Sequence, residues 1–192
     1  SIFSVVRMKC LKKGIFFLFV GRIMREKGVD ELFWAARRLK EEYGEGVAFD
    51  VVGFFEDAYR QTVEELAAEH ILTFHGFQQD VRPFYAAADS VVLPSYHEGM
   101  SNVLLEGAAS GRALVTSDIP GCREAVEDGV TGFLCPAGDR EALLDRLRRF
   151  ASCPPEKRAA MGRAGRALME RRFRKEDVVA RTLAALLEDA PC

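Results

Sequence analysis

Short apolar runs alternate with longer amphipathic segments along most of the chain. The first strong run, Ile15–Val20, is continuously apolar, and a loop over residues 21–28 follows it. Continuous apolar runs are typical of strands buried on both faces, and a 3.6-residue apolar period, as in Val29–Tyr43, indicates an amphipathic helix. Further strands are predicted over residues 47–52, 71–74, 91–93, 113–116 and 132–134, and further helices over 57–70, 81–88 and 101–110. This rhythm predicts an α/β fold, a Rossmann-like parallel sheet with helices on both faces.

The pattern changes after Asp139, where strands give way to helices alone. Helical stretches are predicted over residues 140–151, 155–171 and 175–187. The simplest organisation is one domain over residues 1–192. It has an α/β core over residues 15–139 and a helical C-terminal tail over residues 140–192.

Charge and cysteine content narrow the class of protein. The net charge of −2 gives no reason to expect nucleic-acid binding. Five cysteines, an odd number without C-x-x-C spacing, make neither a zinc site nor a disulfide framework, so a reducing cytoplasm is favoured. No apolar run approaches the length of a membrane span.

The loop after the first strand has the composition of an anion site. In parallel sheets ligands bind at the carboxyl ends of strands, which draws attention to this loop. Gly21 permits close approach of the backbone, and Arg22 and Lys27 bracket the loop, so the two cations could hold a diphosphate. Alternatively, they pair with Glu26 and Asp30 as an ordinary solvated loop.

A second candidate site lies where a predicted strand leads into a helix. Two carboxylates, Glu98 and Glu106, are eight positions apart there. Gly99 lets a ligand approach the backbone, and Ser101 can cap the helix that begins there. Free amides at a helix start attract phosphate, and carboxylates accept hydrogen bonds from sugar hydroxyls. Phosphate and sugar side by side are what a nucleotide-sugar site must recognise.

Other interpretations of the two carboxylates stay open. They could form a metal pair or an acid/base pair, or merely favour the helix dipole. Glu106 lies in an otherwise apolar helix, where a carboxylate needs a partner. A ribose diol would supply two donors, and a salt bridge to Arg112 is the alternative.

Taken as a set, these segments resemble the nucleotide-binding half of the GT-B glycosyltransferases, specifically family 4, "glycosyl transferases group 1". The capsular-polysaccharide and lipid-linked-oligosaccharide enzymes look most similar. The resemblance extends from about residue 15 to 187 in one order, and its spacing is family-like. It rests on F-L-F-V-G-R at 17–22, E-K-G at 26–28, F-H-G-F at 74–77, A-A-A-D at 86–89, L-P-S-Y-H-E-G at 93–99, N-V-L-L-E at 102–106, D-I-P-G-C-R-E-A-V at 118–126 and E-D-G-V-T-G-F at 127–133.

The resemblance implies a role for each part of the site. Arg22 and Lys27 would bind the donor diphosphate and stabilise it as it leaves, and Glu98 would hydrogen-bond the donor sugar. Glu106 would take the ribose hydroxyls. The other donor contacts would come from three loops, of which the second would border the base through main-chain groups. The residues are Gly21 in the first loop, His75, Gly76 and Phe77 in the second, and Gly99, Met100, Ser101 and Asn102 in the third. Ser101 replaces the family's usual proline in E-G-x-P-N and can still start the helix.

The same resemblance implies the reaction and its partners. The donor is a nucleotide-sugar, expected to be a UDP-sugar, transferred with retention of configuration and without a metal or other cofactor. Two cations and a helix N-terminus can offset the leaving group's charge in place of Mg²⁺. The acceptor, a cell-surface or lipid-linked glycan, would bind to an N-terminal domain that is absent from these residues. We expect a cytoplasmic location, with peripheral association at the inner face of the membrane as an alternative.

Two other functions stay open. A non-hydrolysing sugar-nucleotide epimerase shares the two-domain architecture, although the Glu98–Glu106 spacing with Gly99 and Asn102 favours the transferase. The chain could also be a stand-alone nucleotide-binding module completed by a separate subunit. For the transferase, the isolated chain is expected to bind nucleotide and to turn over poorly, because productive geometry needs both walls of the cleft.

Overall fold

A computed structural model describes residues 14–173, which contain a single six-stranded sheet. Every pair of neighbouring strands is parallel, which confirms the predicted fold. The order across the sheet is β3-β2-β1-β4-β5-β6. The strands are β1 (Ile15–Val20), β2 (Val47–Val52), β3 (Thr73–Phe74), β4 (Ser90–Leu93), β5 (Ala113–Ser117) and β6 (Gly132–Cys135).

Six helices cover the sheet within the described residues. They are α1 (Val29–Tyr43), α2 (Arg60–Ala68), α3 (Arg82–Ala87), α4 (Asn102–Ala109), α5 (Arg140–Ala151) and α6 (Pro155–Arg172). Helix α1 packs against α5, and α4 packs against α6. The two described helices of the predicted tail therefore lie on the sheet, since α5 and α6 also contact β5 and β6. The predicted helix over residues 175–187 lies outside the described residues, and the single-domain organisation of residues 1–192 stays a prediction.

The core lies where β1 is sandwiched between the helical layers. Phe17 stacks on Phe49 of β2 with ring centroids 5.0 Å apart, and it meets the edge of Phe150 of α5 at 5.8 Å. Such pairs favour offset and edge contacts because ring faces and edges carry opposite partial charge. The apolar run that predicted β1 is thus buried on both sides.

Two predicted elements are shorter in the structure by two residues or more at one end. The strand predicted over residues 71–74 is reduced to Thr73–Phe74, because the backbone of Ile71 and Leu72 bonds back to Leu66 of α2. The helix predicted over residues 57–70 begins with a 3₁₀ turn, Asp57–Tyr59, and α2 ends at Ala68.

The strand order reverses between β1 and β4. From β1 the chain winds outward to β2 and β3 and then returns to the other side of β1. In open α/β sheets, ligands bind at such a switch point, outside the carboxyl ends of the strands. The loops after β1 and β4 are therefore neighbours at the place where a ligand is expected. None of the helices in residues 14–173 is both long and apolar enough to cross a bilayer.

Candidate functional site

The loops after β1 and β4 are packed directly on each other. Gly28 has a φ of 67°, and a Cβ atom at that position would lie 2.0 Å from the carbonyl oxygen of Pro94. Only glycine fits such a contact in this conformation. The amide of Tyr96 also donates to the carbonyl of Glu26 at 2.8 Å. The two loops that carry the candidate charges therefore form one backbone unit.

The loop after β5 supports the same unit from its other side. Gly121 has a φ of 85°, and a Cβ atom there would lie 2.3 Å from the carbonyl oxygen of Gly99. The amide of Ser101 donates to the carbonyl of Gly121 at 3.0 Å, and the amide of Gly121 donates to Glu124 Oε2 at 2.8 Å. The first part of the Gly99–Asn102 backbone, which is predicted to contact a sugar and phosphates, is thus held in place by the loop after β5.

The loops after β2 and β3 continue this edge. The amide of Gly21 donates to the carbonyl of Val52, and the amide of Gly53 donates to the carbonyl of Gly76, both at 2.9 Å. Five consecutive loops at the carboxyl edge are consequently linked by backbone contacts.

Lys27 and Glu98 meet at the centre of this edge. Lys27 Nζ lies 2.7 Å from Glu98 Oε1, and the Ser95 hydroxyl donates to the same oxygen at 2.8 Å. The side chains are 26% and 11% exposed. Lys27 therefore pairs with Glu98 of the neighbouring loop, and not with Glu26 or Asp30. Asp30 instead accepts from the Tyr59 hydroxyl at 3.2 Å.

Arg22 lies at the exposed end of the β1 loop. Its guanidinium carbon is 5.9 Å from the centre of the Phe54 ring. Phe54 in turn lies beside Phe77, with ring centroids 6.3 Å apart, and both rings are largely exposed. Within the described residues Arg22 makes no ion pair, so its charge stays available to an anion. Phe54 was not predicted from the sequence. The one indication was that an aromatic residue directly follows Gly53, the glycine at the end of a predicted strand.

His75 points inward from the β3 loop. Its Nε2 lies 2.7 Å from Oδ1 of Asp50, a buried residue of β2, and its ring meets the Phe84 ring edge-on at 4.9 Å. Its amide donates to the carbonyl of Val51, and its carbonyl accepts from the Gln78 side chain. The side chain, amide and carbonyl of His75 are therefore all engaged within the domain. Asp50 was not identified from the sequence, where an acid inside an apolar strand was its only signal.

Helix α4 begins a few residues after Glu98. Ser101 is the N-cap, and its hydroxyl accepts from the amide of Leu104 at 3.4 Å, as predicted. Gly99, Met100 and Asn102 are exposed around it. The first amides of a helix lack intrahelical partners, so this terminus favours an anion.

Glu106 is placed differently from the expectation. It is exposed on α4, not enclosed by apolar side chains. Its Oε2 accepts from the buried Tyr85 hydroxyl at 3.1 Å. The alternative of a salt bridge to Arg112 is wrong, because that guanidinium donates to the carbonyls of Ser110 and Ala88, both at 3.0 Å.

The predicted site residues Lys27 and Glu98 pair with each other, whereas Glu106 pairs with Tyr85, which was not predicted from the sequence. No contact among the described residues joins these two pairs directly. Glu106 also borders an apolar cavity of about 410 Å³ between α4 and α6, lined by Leu105, Glu106, Ala109, Met169, Glu170 and Phe173. The binding roles of the individual residues stay predictions. Among residues 14–173, no three His, Cys, Asp or Glu side chains are grouped as metal ligands.

The strand order and the loops at its switch point define a Rossmann-like domain of the GT-B class. The chain belongs to the family "Glycosyl transferases group 1", whose model matches residues 9–168.

Curated relatives in this family include enzymes of polysaccharide synthesis. A lipopolysaccharide core biosynthesis glycosyltransferase, LpsE of Rhizobium meliloti, is 31% identical over 135 residues, covering 69% of this chain and 38% of the relative. A glycogen synthase of Mycobacterium tuberculosis is 33% identical over 160 residues, covering 80% of this chain and 37% of the relative. The chain therefore spans only about two-fifths of the length of such relatives.

Solved structures show the same fold. HepE of Anabaena, crystallised with UDP, superposes with a TM-score of 0.79 at 24% identity over 96% of this chain and 52% of that chain. The C-terminal domain of a group 1 glycosyl transferase, LpcC of Francisella tularensis, superposes with a TM-score of 0.74 at 23% identity. It covers 88% of this chain and 91% of that chain, so a domain of this extent has been crystallised by itself.

Proposed function

We propose that this chain is the donor-binding domain of a family 4 retaining glycosyltransferase. The whole enzyme would transfer a sugar from a UDP-sugar to a cell-surface polysaccharide or lipid-linked glycan. The observation that carries the proposal is the Lys27–Glu98 pair, held across the β1 and β4 loops at the switch point of the sheet.

The charges of the pair suit a sugar diphosphate. Lys27 has three ammonium protons, and only one is needed for Glu98, so others can point to a phosphate oxygen. Arg22 adds a second cation on the same loop, and the N-terminus of α4 adds partial positive charge. As the bond to the sugar breaks, negative charge grows on the diphosphate, and fixed cations stabilise that charge without reorganising. No metal would then be required.

The carboxylate of Glu98 suits the sugar itself. One oxygen is taken by Lys27 and Ser95, which leaves the other oxygen able to accept from a sugar hydroxyl. The exposed Gly99 backbone next to it permits close approach of the ring. Sugar and diphosphate would therefore lie on opposite sides of one ion pair.

Relatives and fold neighbours support the donor and acceptor classes. HepE was crystallised with UDP, and LpsE is named for lipopolysaccharide core synthesis. Because this chain spans about two-fifths of its relatives, the acceptor would bind a second domain. The cytoplasmic location, and the inner membrane face as its alternative, belong to this proposal.

Calorimetric titration of the 192-residue chain with UDP, GDP and UMP tests the donor site. UDP should bind, and UMP should bind at least ten-fold more weakly because it lacks the second phosphate that the cations would hold. Lys27→Met should remove most of this difference between UDP and UMP. Asp145→Asn, an exposed change on α5, is the matched control and should leave it intact. Absence of UDP binding at millimolar concentration would refute the proposal.

Product analysis on the full-length enzyme separates the transferase from the epimerase. A glycosylated acceptor supports the proposal, whereas an epimerised sugar nucleotide contradicts it.

A further inference from the structure

A buried phenol lies directly beneath one of the two candidate carboxylates. Tyr85 belongs to α3 and is only 1% exposed, yet its hydroxyl reaches Oε2 of Glu106 on the neighbouring helix α4 at 3.1 Å. Nothing in the proposed chemistry requires this contact. It nevertheless connects the interior of the domain to an exposed side chain that is proposed to bind ribose.

The hydroxyl has one proton and two acceptors within reach. The carbonyl oxygen of Val103 is 3.4 Å away, and the carboxylate oxygen of Glu106 is closer and charged. Hydrogen bonds to ionised acceptors are shorter and stronger than those to neutral ones, so the proton belongs on the Glu106 side. Burial, reinforced by the charge of Glu106, raises the pKa of Tyr85, and the phenol stays a donor across the physiological range.

The contact restricts a side chain that would otherwise be mobile. An exposed glutamate samples many rotamers, and ordering it when a ligand binds costs free energy. A carboxylate has about four acceptor positions, and the phenol uses one of them on Oε2. Within residues 14–173 the Tyr85 contact is the only hydrogen bond to this exposed carboxylate, so Oε1 and a second position on Oε2 are left for two further donors.

We propose that Tyr85 is a positioning residue that pre-orders Glu106 to accept both hydroxyls of a ribose ring. This inference rests on the proposed nucleotide-sugar function. Helix α3 would then support both the ribose contact, through Tyr85, and the loop proposed to border the base, because the adjacent Phe84 contacts His75 of that loop. Phe84 acts there through its ring alone, whereas Tyr85 acts through its hydroxyl.

The test compares UDP with 2′,3′-dideoxy-UDP on Tyr85→Phe, measured by calorimetry on the 192-residue chain. The wild-type chain should prefer UDP. Tyr85→Phe keeps the buried ring and removes only the hydroxyl, so UDP affinity should fall about three- to ten-fold while the dideoxy analogue is little affected. Adding Tyr85→Phe to a Glu106→Gln variant should cause almost no further loss of discrimination, because the carboxylate that Tyr85 would position is already gone.

Tyr59→Phe is the matched control. It removes another phenol-to-carboxylate hydrogen bond, to Asp30, without touching Glu106, and should leave the discrimination unchanged. Should Tyr85→Phe fold poorly, Glu106→Asp offers a second route, because it keeps the charge on an exposed position and withdraws it from the phenol. It should show the same loss of discrimination.

The outcomes separate the inference from the proposed function. No UDP binding by the wild-type chain would overturn both. UDP binding with unchanged discrimination in Tyr85→Phe or Glu106→Asp would overturn the positioning role alone. Equal losses for UDP and the dideoxy analogue would also overturn it, because they indicate a general structural effect.

Discussion

The two candidate carboxylates, Glu98 and Glu106, are held in place by different means. Glu98 is mostly buried in a loop, is paired with a cation, and rests on backbone contacts from the β1 and β5 loops. Glu106 is exposed on a helix and has one neutral donor beneath it. A loop carboxylate thus depends on many distant contacts, whereas a helix carboxylate depends on its helix and a single hydrogen bond. Damage to the first should spread into stability, and damage to the second should stay local.

The largest expected effect comes from separating the loops under Glu98. Gly28→Ala would place a methyl group 2.0 Å from the Pro94 carbonyl at a φ of 67°, so either the backbone or the whole loop must move. We expect the free energy of unfolding to fall by about 3 kcal/mol or more. Thermal unfolding followed by circular dichroism measures it.

Gly129→Ala is the control for that change. Gly129 also has a positive φ, 75°, but a Cβ atom there would meet nothing within 4 Å. Its loss should be only about 1–2 kcal/mol, the conformational part alone. Equal losses at the two positions would show that packing of the loops under Glu98 contributes nothing.

A double-mutant cycle over Lys27→Met and Glu98→Gln tests the ion pair next. Because the pair is largely screened from water, its coupling free energy should be about 1–2 kcal/mol in urea unfolding. The exposed pair Arg166 and Glu170 on α6, one helical turn apart, should couple by less than about 0.5 kcal/mol. Similar values for the two cycles would mean that the site pair is an ordinary surface contact.

Cys122 lies near the Lys27–Glu98 pair, and the reactivity of its thiol measures how often this region opens to solvent. Cys122 is fully buried, and burial raises its pKa from 9.0 to about 11. In a Cys10→Ser, Cys192→Ser variant, iodoacetamide at pH 8 followed by peptide mass spectrometry should find Cys122 hardly labelled in the native protein and fully labelled in the urea-unfolded protein. Rapid labelling of the native form would show that the region opens.

The same shift predicts a pH dependence with a definite sign. Below pH 9 the thiol is neutral in both the folded and the unfolded chain, so its contribution is constant. Above pH 9 the unfolded chain loses the proton first, and stability falls until about pH 11. Replacing Cys122 by Ala should make this part of the profile less steep, because Cys135 and the tyrosines with raised pKa keep their share, and an unchanged slope would assign it to those groups.

The smallest effect on stability is expected at the helix carboxylate. Glu106→Ala should lower the free energy of unfolding by only about 1 kcal/mol, because the position is exposed and the buried Tyr85 hydroxyl, which loses its closer acceptor, keeps the Val103 carbonyl within reach. Nucleotide binding should nevertheless weaken. A loss of stability as large as that of Gly28→Ala would remove the distinction between the two carboxylates.

Long, strongly patterned elements could be predicted from the sequence, and contacts between distant residues could not. Ile15–Val20 and Val29–Tyr43 have their predicted bounds, because an unbroken apolar run and a regular helical period leave few alternatives. The partners of Glu106 and His75 were missed. Tyr85 lies 21 residues from Glu106, and Asp50 lies 25 residues from His75, so only the packing of separate elements brings them together.

The exposed environment of Glu106 was missed for a related reason. Its apolar neighbours in sequence suggest a buried position, but residues adjacent along a helix point in different directions. Leu104 is buried in the core, whereas Glu106 lies on the outward side of the same helix. Only the tertiary contacts of α4 decide which of its sides is covered.

The brevity of β3 affects how this domain behaves in a crowded solution. A strand at the edge of a sheet presents unpaired amides and carbonyls that can pair with another polypeptide, and long, flat edge strands promote aggregation. Here the edge strand β3 is two residues long, and the residues before it are hydrogen-bonded back to α2. This edge of the sheet therefore exposes few unpaired backbone groups for pairing with another molecule, although the central strands are among the most apolar segments of the domain.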